Sequence, residues 1–448
     1  VTAQAEALDE LGEFLRIASV SADPEQRAEM SRAADWLVAF IRSAGGQAEL
    51  VETEGPPLVV GEVRATGGAA TSADRPTVLL YGHYDVQPAG DLAEWETAPF
   101  EPTVRDGWLY GRGAADDKGN FYLLLKTVKE MARRGDLSVN VRVISDGEEE
   151  IGGSSVGEYV RGLADAPDAC VIFDMPMPRF GQPALTIATR GLIYYHVRLL
   201  TGVRDLHSGL FGGAVLNAAE ALSETLHGAS TRWSELELGV VAPSATEVEG
   251  WATLTGGAET LAEQGARPAD PDAERDFYRR VWALPAVDVH GLRSGEADLV
   301  KTIVPVEAAA NVSVRLVARQ SPTEVAEIFE RILRESAPQA AELEIARMAM
   351  IPPVLMDEQA PALRLAGEAF ERAFGTKPVV IRSGGSLPVL SGLADRGIPT
   401  VVTGFDVPEG NIHAANERLR IDYLWKGMEV AEEMLRRFQE LPSNGGRK

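Results

Sequence analysis

The chain has 448 residues, 45% hydrophobic and 25% charged, the composition of a folded globular protein and a length that predicts two or three domains. Its formal net charge of −24 argues against nucleic-acid binding and against docking on anionic lipid, since both need positive surface. No stretch approaches the roughly 20 uncharged apolar residues of a membrane span, Val1 to Glu10 lacks the basic and then apolar pattern of a secretory signal, and the single cysteine, Cys170, cannot close an internal disulfide, so a cytoplasmic location is expected. In chain order, a helix is predicted over residues 26–44, with Met30, Ala33, Ala34, Leu37, Phe40 and Ile41 on one face and Gly45-Gly46 as its stop. Strands are expected at Val59 to Arg64, Thr77 to Tyr81, Val139 to Ser145 and Ala169 to Phe173. A helix from about Gly119 to Arg134 turns Phe121, Leu124, Leu125, Val128 and Met131 inward. Strands alternating with helices imply an α/β fold, a mostly parallel sheet covered on both faces by helices.

From about Gly191 the texture changes. A strand (Leu192 to Leu200) and a helix (Val215 to His227) precede a long polar insertion, Thr231 to Pro285. Two strands (Leu299 to Val304; Ala309 to Ala318), a helix (Thr323 to Glu335) and a strand (Glu342 to Ala349) complete a βαββαβ order, which suits an α+β open-faced sandwich. The first pattern resumes after about Pro353 with a helix to Phe374, a strand at Thr400 to Phe405 and a helix from Tyr423 to Phe438. The expected organisation is therefore one domain from residues 1–190 and 354–448, with a second, 191–353, inserted into it; the tail "SNGGRK" is expected to fray.

Sites in a parallel sheet form where strands end. His83 and Asp85 follow the second strand in "YGHYDVQP"; "YGRGAADDKG" (110–119) holds Asp116 and Asp117; "DGEEEIGG" (146–153) holds Glu148, Glu149 and Glu150; Asp174 follows the strand at 169–173; His413 lies in "EGNIHAANE" (409–417). A lone His-x-Asp is ordinarily a satisfied loop histidine, and an acidic triplet is ordinarily a solvated loop. Ligand-type residues in all these loops, in an order that a parallel sheet converges, would repel one another unless cations sat among them. A pair of divalent metals is the economical answer, with zinc accepting a mixed His and carboxylate shell and manganese or cobalt also suited. One of the adjacent glutamates is then left to take the proton of an attacking water, because neighbouring side chains leaving a strand point in different directions.

Taken together, "GHYDVQP", "LYGRGAADDKG", "GEEEIGG", "DLHSG" (205–209), "SGGSLPV" (383–389) and "HAANE" (413–417) resemble, in order and across nearly the whole chain, the binuclear zinc exopeptidases: carnosine-type dipeptidases, aminoacylases, succinyl-diaminopimelate desuccinylase and glutamate carboxypeptidase. The similarity is greatest to the dipeptidase branch. The resemblance implies two Zn²⁺, with His83 and Asp174 on one, Glu150 and His413 on the other, and Asp116 bridging. It makes Asp85 the group that holds the His83 ring, Glu149 the general base and then acid, and the Asp116-Asp117 bond cis. It makes the inserted domain a lid and homodimer interface, with His207 reaching a partner's site to stabilise an oxyanion, Arg315 gripping a substrate carboxylate, and Gly385 and Ser386, beside Gly384, contacting substrate. His196, His227 and His290 fall outside these motifs and read as structural, and residues 231–290 carry the least resemblance.

The implied activity is hydrolysis of the amide bond of a dipeptide or similar small carboxylate-bearing substrate. The main alternative is deacylation of an N-acyl amino acid on the same site. A metal-binding scaffold without catalysis need not keep Glu149, and a dinuclear phosphoesterase would need phosphate-gripping cations, for which only Arg112 and Lys118 offer themselves.

Overall fold

The computed structural model describes residues 3–67, 74–296, 298–385 and 387–442; Ser386 and the tail 443–448 lie outside the described residues. Among the described residues a nine-stranded sheet forms the centre of the larger unit. Its middle strands, in the order Asn140–Asp146, Thr77–His83, Ala169–Ile172 and Thr400–Val402, are parallel, with Leu80 opposite Val143 on one side and Val171 on the other. Flanking strands run antiparallel: Leu58–Val63 and Gln47–Val51 at one edge, Ala184–Thr189 and Val354–Leu355 at the other, with Val379–Ser383 parallel to Ala184–Thr189. The expected parallel arrangement thus describes the centre, and the sheet as a whole is mixed.

The middle strands read as unbroken apolar runs because both faces are covered. Val78 and Leu80 feed a core beneath the helices Arg27–Ser43, Lys118–Arg134, Pro361–Phe374 and Ile421–Arg437. Leu79 and Tyr81 feed a second core against Val156, Val160, Leu390 and Leu393 of the helices Ser155–Arg161 and Pro388–Asp395. The predicted stripe on Arg27–Ser43 is buried as expected, and the helix stops at Gly45, whose φ of +83° suits glycine.

The second unit is a four-stranded antiparallel sheet in the order Ala286–Ser294, Glu307–Leu316, Gly191–Leu200, Glu342–Ile351. Helices Ala218–Ser230 and Pro322–Ser336 cover one face, burying Ile193, Tyr195, Val197 and Leu199 against Leu222, Phe329 and Ile332. The βαββαβ order holds, but the strand expected at Leu299 to Val304 is not one of its members. Only Ile303–Val304 is extended, in a two-stranded ribbon with Leu206–His207, and the sandwich strand is Ala286–Ser294. Its "AVDVHGLRS" alternation is polar because it is an exposed edge, whereas the more apolar Leu299 and Val300 stand in solvent. The helix expected from Val215 starts at Ala218, after the cap Asn217.

The insertion is also more ordered than its composition suggests. Helices Ala245–Trp251, Gly257–Glu263 and Phe277–Ala283 pack back onto the larger unit, where Trp251, Leu254 and Ala283 form a cluster with Ala184 and Ile381. No helix among the described residues is long and apolar enough to cross a membrane.

Candidate metal centre and substrate cleft

Parallel strands end at the same edge of the sheet, which brings four separate loops together. The strand Thr77–His83 ends on the first of the expected donors. Its penultimate residue has to be Gly82, since a Cβ there would run into the Phe121 ring. The His83 ring is fully buried. Its Nδ1 lies 3.0 Å from the Asp85 carbonyl oxygen and 3.3 Å from Asp85 Oδ1, which leaves Nε2 to face Asp116 Oδ1 at 3.0 Å. Asp85 also accepts from the Glu150 backbone N–H at 3.1 Å, so one buried carboxylate positions two of the expected donors.

His413, reached by a left-handed turn (φ 59°), places Nε2 2.9 Å from Asp116 Oδ2 and 3.2 Å from Glu150 Oε2. Asp116 therefore lies between the two imidazoles. The Asp116-Asp117 bond is cis, as the resemblance implied. Asp117 accepts from the His83 backbone N–H, and Asp174 stands in the same crevice as Asp116.

The three adjacent glutamates separate in role by direction. Glu148 accepts from the Ser155 backbone N–H at 2.8 Å, which turns it toward the next helix. Glu150 accepts from Gln87 Nε2 at 2.8 Å and faces His413. Glu149 stands between these neighbours; burial, with the negative charges of Asp116 and Glu150 nearby, raises its carboxyl to about 8 against the opposing effect of His83.

The electrostatics of the whole cluster fit bound cations. Burial and the neighbouring Asp117 and Asp116 push Asp174 well above the usual carboxylate range, and burial with Asp116 does the same to Asp117. Asp116 is held low despite its burial, by hydrogen bonds from His413 and His83. His413 is raised to about 10 by Asp116 first and Glu150 second. Asp174 Oδ2 and Asp117 Oδ1 are buried with no hydrogen-bond partner among the described residues. Crowded oxygen and imidazole donors, two of the carboxylates with a buried oxygen left without a partner among the described residues, are the set that divalent zinc or manganese accepts. Ligand atoms of His83, Asp116 and Glu150 all lie within 4.8 Å of one another.

Sequence reasoning passed over the residue that ties this edge together. Glu417, fully buried, accepts from the backbone N–H groups of Gly113, Ala115 and Asp116 and from Arg112 Nη1 at 2.7 Å. Arg112 also donates to the Pro88 and Ala414 carbonyls, so the pair clamps the loops bearing His83, Asp116 and His413. Its signal was available: Glu417 closes the "HAANE" motif, as Gln87 sits within "GHYDVQP". Lys118 donates to the carbonyls of Phe14 and Ile17, and burial brings it down to about 7. The two cations that a phosphoesterase would need are thus already engaged.

The residues expected to handle substrate stand apart from the cluster. His207 is exposed, and its Nδ1 accepts from the Gly209 backbone N–H at 3.1 Å. Arg315 lies on the sheet face not covered by helices, opposite Leu192 and Ala286. Among the described residues no hydrogen bond or ion pair joins either to the metal-binding groups. Gly385 accepts through its carbonyl from the Arg190 backbone N–H. His196 and His290, expected to be structural, meet Asn311 Oδ1 at 2.9 Å and Ser313 Oγ at 2.8 Å.

Known proteins resemble this chain in sequence and in fold. The model for peptidase family M20/M25/M40 matches residues 79–437. A cysteinylglycine-S-conjugate dipeptidase of Corynebacterium striatum is 31% identical over 91% of the chain and 90% of its own length. A Beta-Ala-His dipeptidase of Rattus norvegicus is 28% identical over 86% of the chain and 83% of its own length. Among solved structures, an M20 family metallo-carboxypeptidase from Sulfolobus solfataricus superposes with a TM-score of 0.86 at 27% identity, covering 97% of this chain and 99% of that one.

Proposed function

The chain belongs to peptidase family M20/M25/M40, and from that premise we propose that it is a metal-dependent dipeptidase using two zinc ions, with manganese or cobalt as workable substitutes. The observation that carries this is the placement of Asp116 between His83 and His413, with Asp85 behind the first ring and Glu150 beside the second. His83 and Asp174 would hold one ion, Glu150 and His413 the other, and Asp116 both. Bound there, the ions supply Lewis acidity to a carbonyl and to the attacking water. The chain's own residues do the rest. Asp85 keeps Nε2 of His83 directed at Asp116, and Glu149 takes the proton from water at its carboxylate and returns it to the departing amine.

Arg315 would bind the free carboxylate of the substrate, with Gly385 and Ser386 alongside, and His207 would stabilise the oxyanion. Because no hydrogen bond or ion pair among the described residues joins His207 to the cluster, its role fits a homodimer in which the smaller unit of one protomer closes over the other. Residues 205–216 support such an interface, since Leu210, Phe211, Val215 and Leu216 beside His207 are exposed. A cytoplasmic location fits the lone, buried Cys170.

A hydrolysis screen of metal-stripped protein, with and without Zn²⁺ or Mn²⁺, should pair each dipeptide with its N-acetylated counterpart. Metal-dependent cleavage of the free-amine peptides is expected. Cleavage of the acetylated set alone would make the protein a deacylase, and silence in both would end the proposal.

A further inference from the structure

The insertion, which carried the least resemblance to any motif, closes a cavity of about 410 Å³ beside the metal-binding cluster. That volume lies within the roughly 300–1,000 Å³ usual for small-ligand sites. Met175, Pro176, Asp406 and Ile412 line both this cavity and the crevice holding Asp116 and Asp174, so the two spaces adjoin. One wall is aromatic: Phe277, Tyr278 and Trp282 from the helix Phe277–Ala283, with the Tyr278 and Trp282 rings 4.5 Å apart. Met177 and Ile381 add further apolar surface.

This wall is anchored to the larger unit. Arg382 meets Glu247 at 2.6 and 3.0 Å with both side chains buried, and Glu247 also completes the capping box of Ala245–Trp251. Arg190 donates from its guanidinium to the carbonyls of Arg280 and Leu284, at the end of the aromatic helix, and from its backbone N–H to those of Ser383 and Gly385. Arg382 Nη1 and Thr186 Oγ1, in the cavity wall, are buried and without a hydrogen-bond partner among the described residues.

The position of the cavity says which part of a substrate enters it. Ser383 and Gly384 border it, and Arg190 links that loop to the strand on whose neighbour Arg315 stands, opposite Leu192. For a substrate whose C-terminal carboxylate is held by Arg315, this loop is the border shared by that grip and the cavity. We propose that the cavity is the subsite for the C-terminal side chain of such a substrate and that it selects a large apolar residue, aromatic above all, over glycine or an acidic residue. Glu263 in the lining, and the neutralisation of Arg382 by Glu247, disfavour a second carboxylate. This rests on the dipeptidase reading above.

Two measurements separate the subsite from that reading. Calorimetry on zinc-loaded Glu149→Gln protein, in which turnover is slowed about 10²-fold or more, should show Ala-Phe binding at least about 10-fold tighter than Ala-Gly. Thr260→Phe, from a half-exposed position on Gly257–Glu263, projects bulk into the cavity and should compress that ratio to within about two-fold. Phe277→Ala, which removes wall instead, should lower it as well. In the otherwise wild-type enzyme the ratio of kcat/KM for Ala-Phe over Ala-Gly should move the same way. Equal binding of the two peptides, or a ratio that neither variant changes, overturns the subsite. If the binding preference and its loss both appear while no dipeptide is ever turned over, the subsite stands and the dipeptidase reading falls.

Discussion

The parallel centre of the large sheet and the insertion at 231–285 face adjoining spaces, yet they are built by opposite means. At the sheet edge each expected metal-binding group follows closely on a strand or lies in a loop pinned by Glu417 and Arg112. Backbone ladders set the spacing of the strand ends. The helices of the insertion, Ala245–Trp251, Gly257–Glu263 and Phe277–Ala283, are too short to persist alone, and they hold their places through Arg382, Arg190 and the contact of Trp251 with Ile381. Backbone pairing and a clamp between distant loops place the chemistry, and the packing of short helices shapes what the chemistry acts on. A substitution at the edge should then change rate or metal content, and one in the insertion should change stability or choice of substrate.

The largest separation is expected from Glu149→Gln. It removes the proton acceptor and keeps the shape, so kcat should fall by about 10² to 10⁴ with zinc content, measured by elemental analysis, near that of the parent. Unchanged turnover would reject the base assignment. Arg382→Leu tests the other region. It strands Glu247 in a buried setting and should cost about 3 kcal/mol, seen as a lowered denaturation midpoint, while turnover of a substrate with a small C-terminal residue survives in the folded fraction. Adding Glu247→Leu should restore much of the loss, since the pair would be exchanged for apolar contact. If the double variant is no better than the single one, the insertion is held by something other than this pair.

The contrast also explains what the sequence could disclose. His83 ends one apolar run and Glu150 closely follows another, and the period and length of such runs are local properties; Asp116 and His413 lie in loops farther from any strand and were expected from the motifs around them. Glu417 was missed although its motif was noticed, because a carboxylate that accepts backbone N–H groups from residues about 300 positions away looks no different in sequence from a solvated one. The strand Ala286–Ser294 was missed because an exposed edge strand lacks the apolar alternation that marks a covered one. The aromatic wall is a stronger case. Phe277, Tyr278 and Trp282 lie in what read as a polar insertion, and only the return of the chain to Val379–Ser383 turns them toward a cavity.

A smaller effect is expected from Asp85→Asn. The change weakens the hold on His83 Nδ1 and on the Glu150 backbone N–H together, and zinc affinity should fall by about 10- to 100-fold with the ligands themselves intact. Competition against a chelator of known affinity measures this directly. A loss confined to kcat, with affinity unchanged, would move Asp85 from positioning the metal to another duty.

The smallest effect concerns protons in the metal-free protein. Glu149 is raised from the usual 4.5 to about 8 and Asp146 from 3.8 to about 6, both chiefly by burial. Between those values the unfolded chain gives up protons that the folded chain keeps, so stability falls as pH rises. His413, raised from 6.5 to about 10 by Asp116 and Glu150, acts in the same direction: its ion pairs contribute fully below 6.5 and are lost as pH climbs toward 10. Asp116, held low, contributes across this whole window and changes only in stronger acid. The metal-free protein should therefore lose several degrees of thermal midpoint between pH 6 and pH 9. Added zinc takes the place of those protons, so the gain in midpoint on metal addition should widen over the same interval. A gain that is constant with pH would mean that the raised groups are not the ones the metal meets.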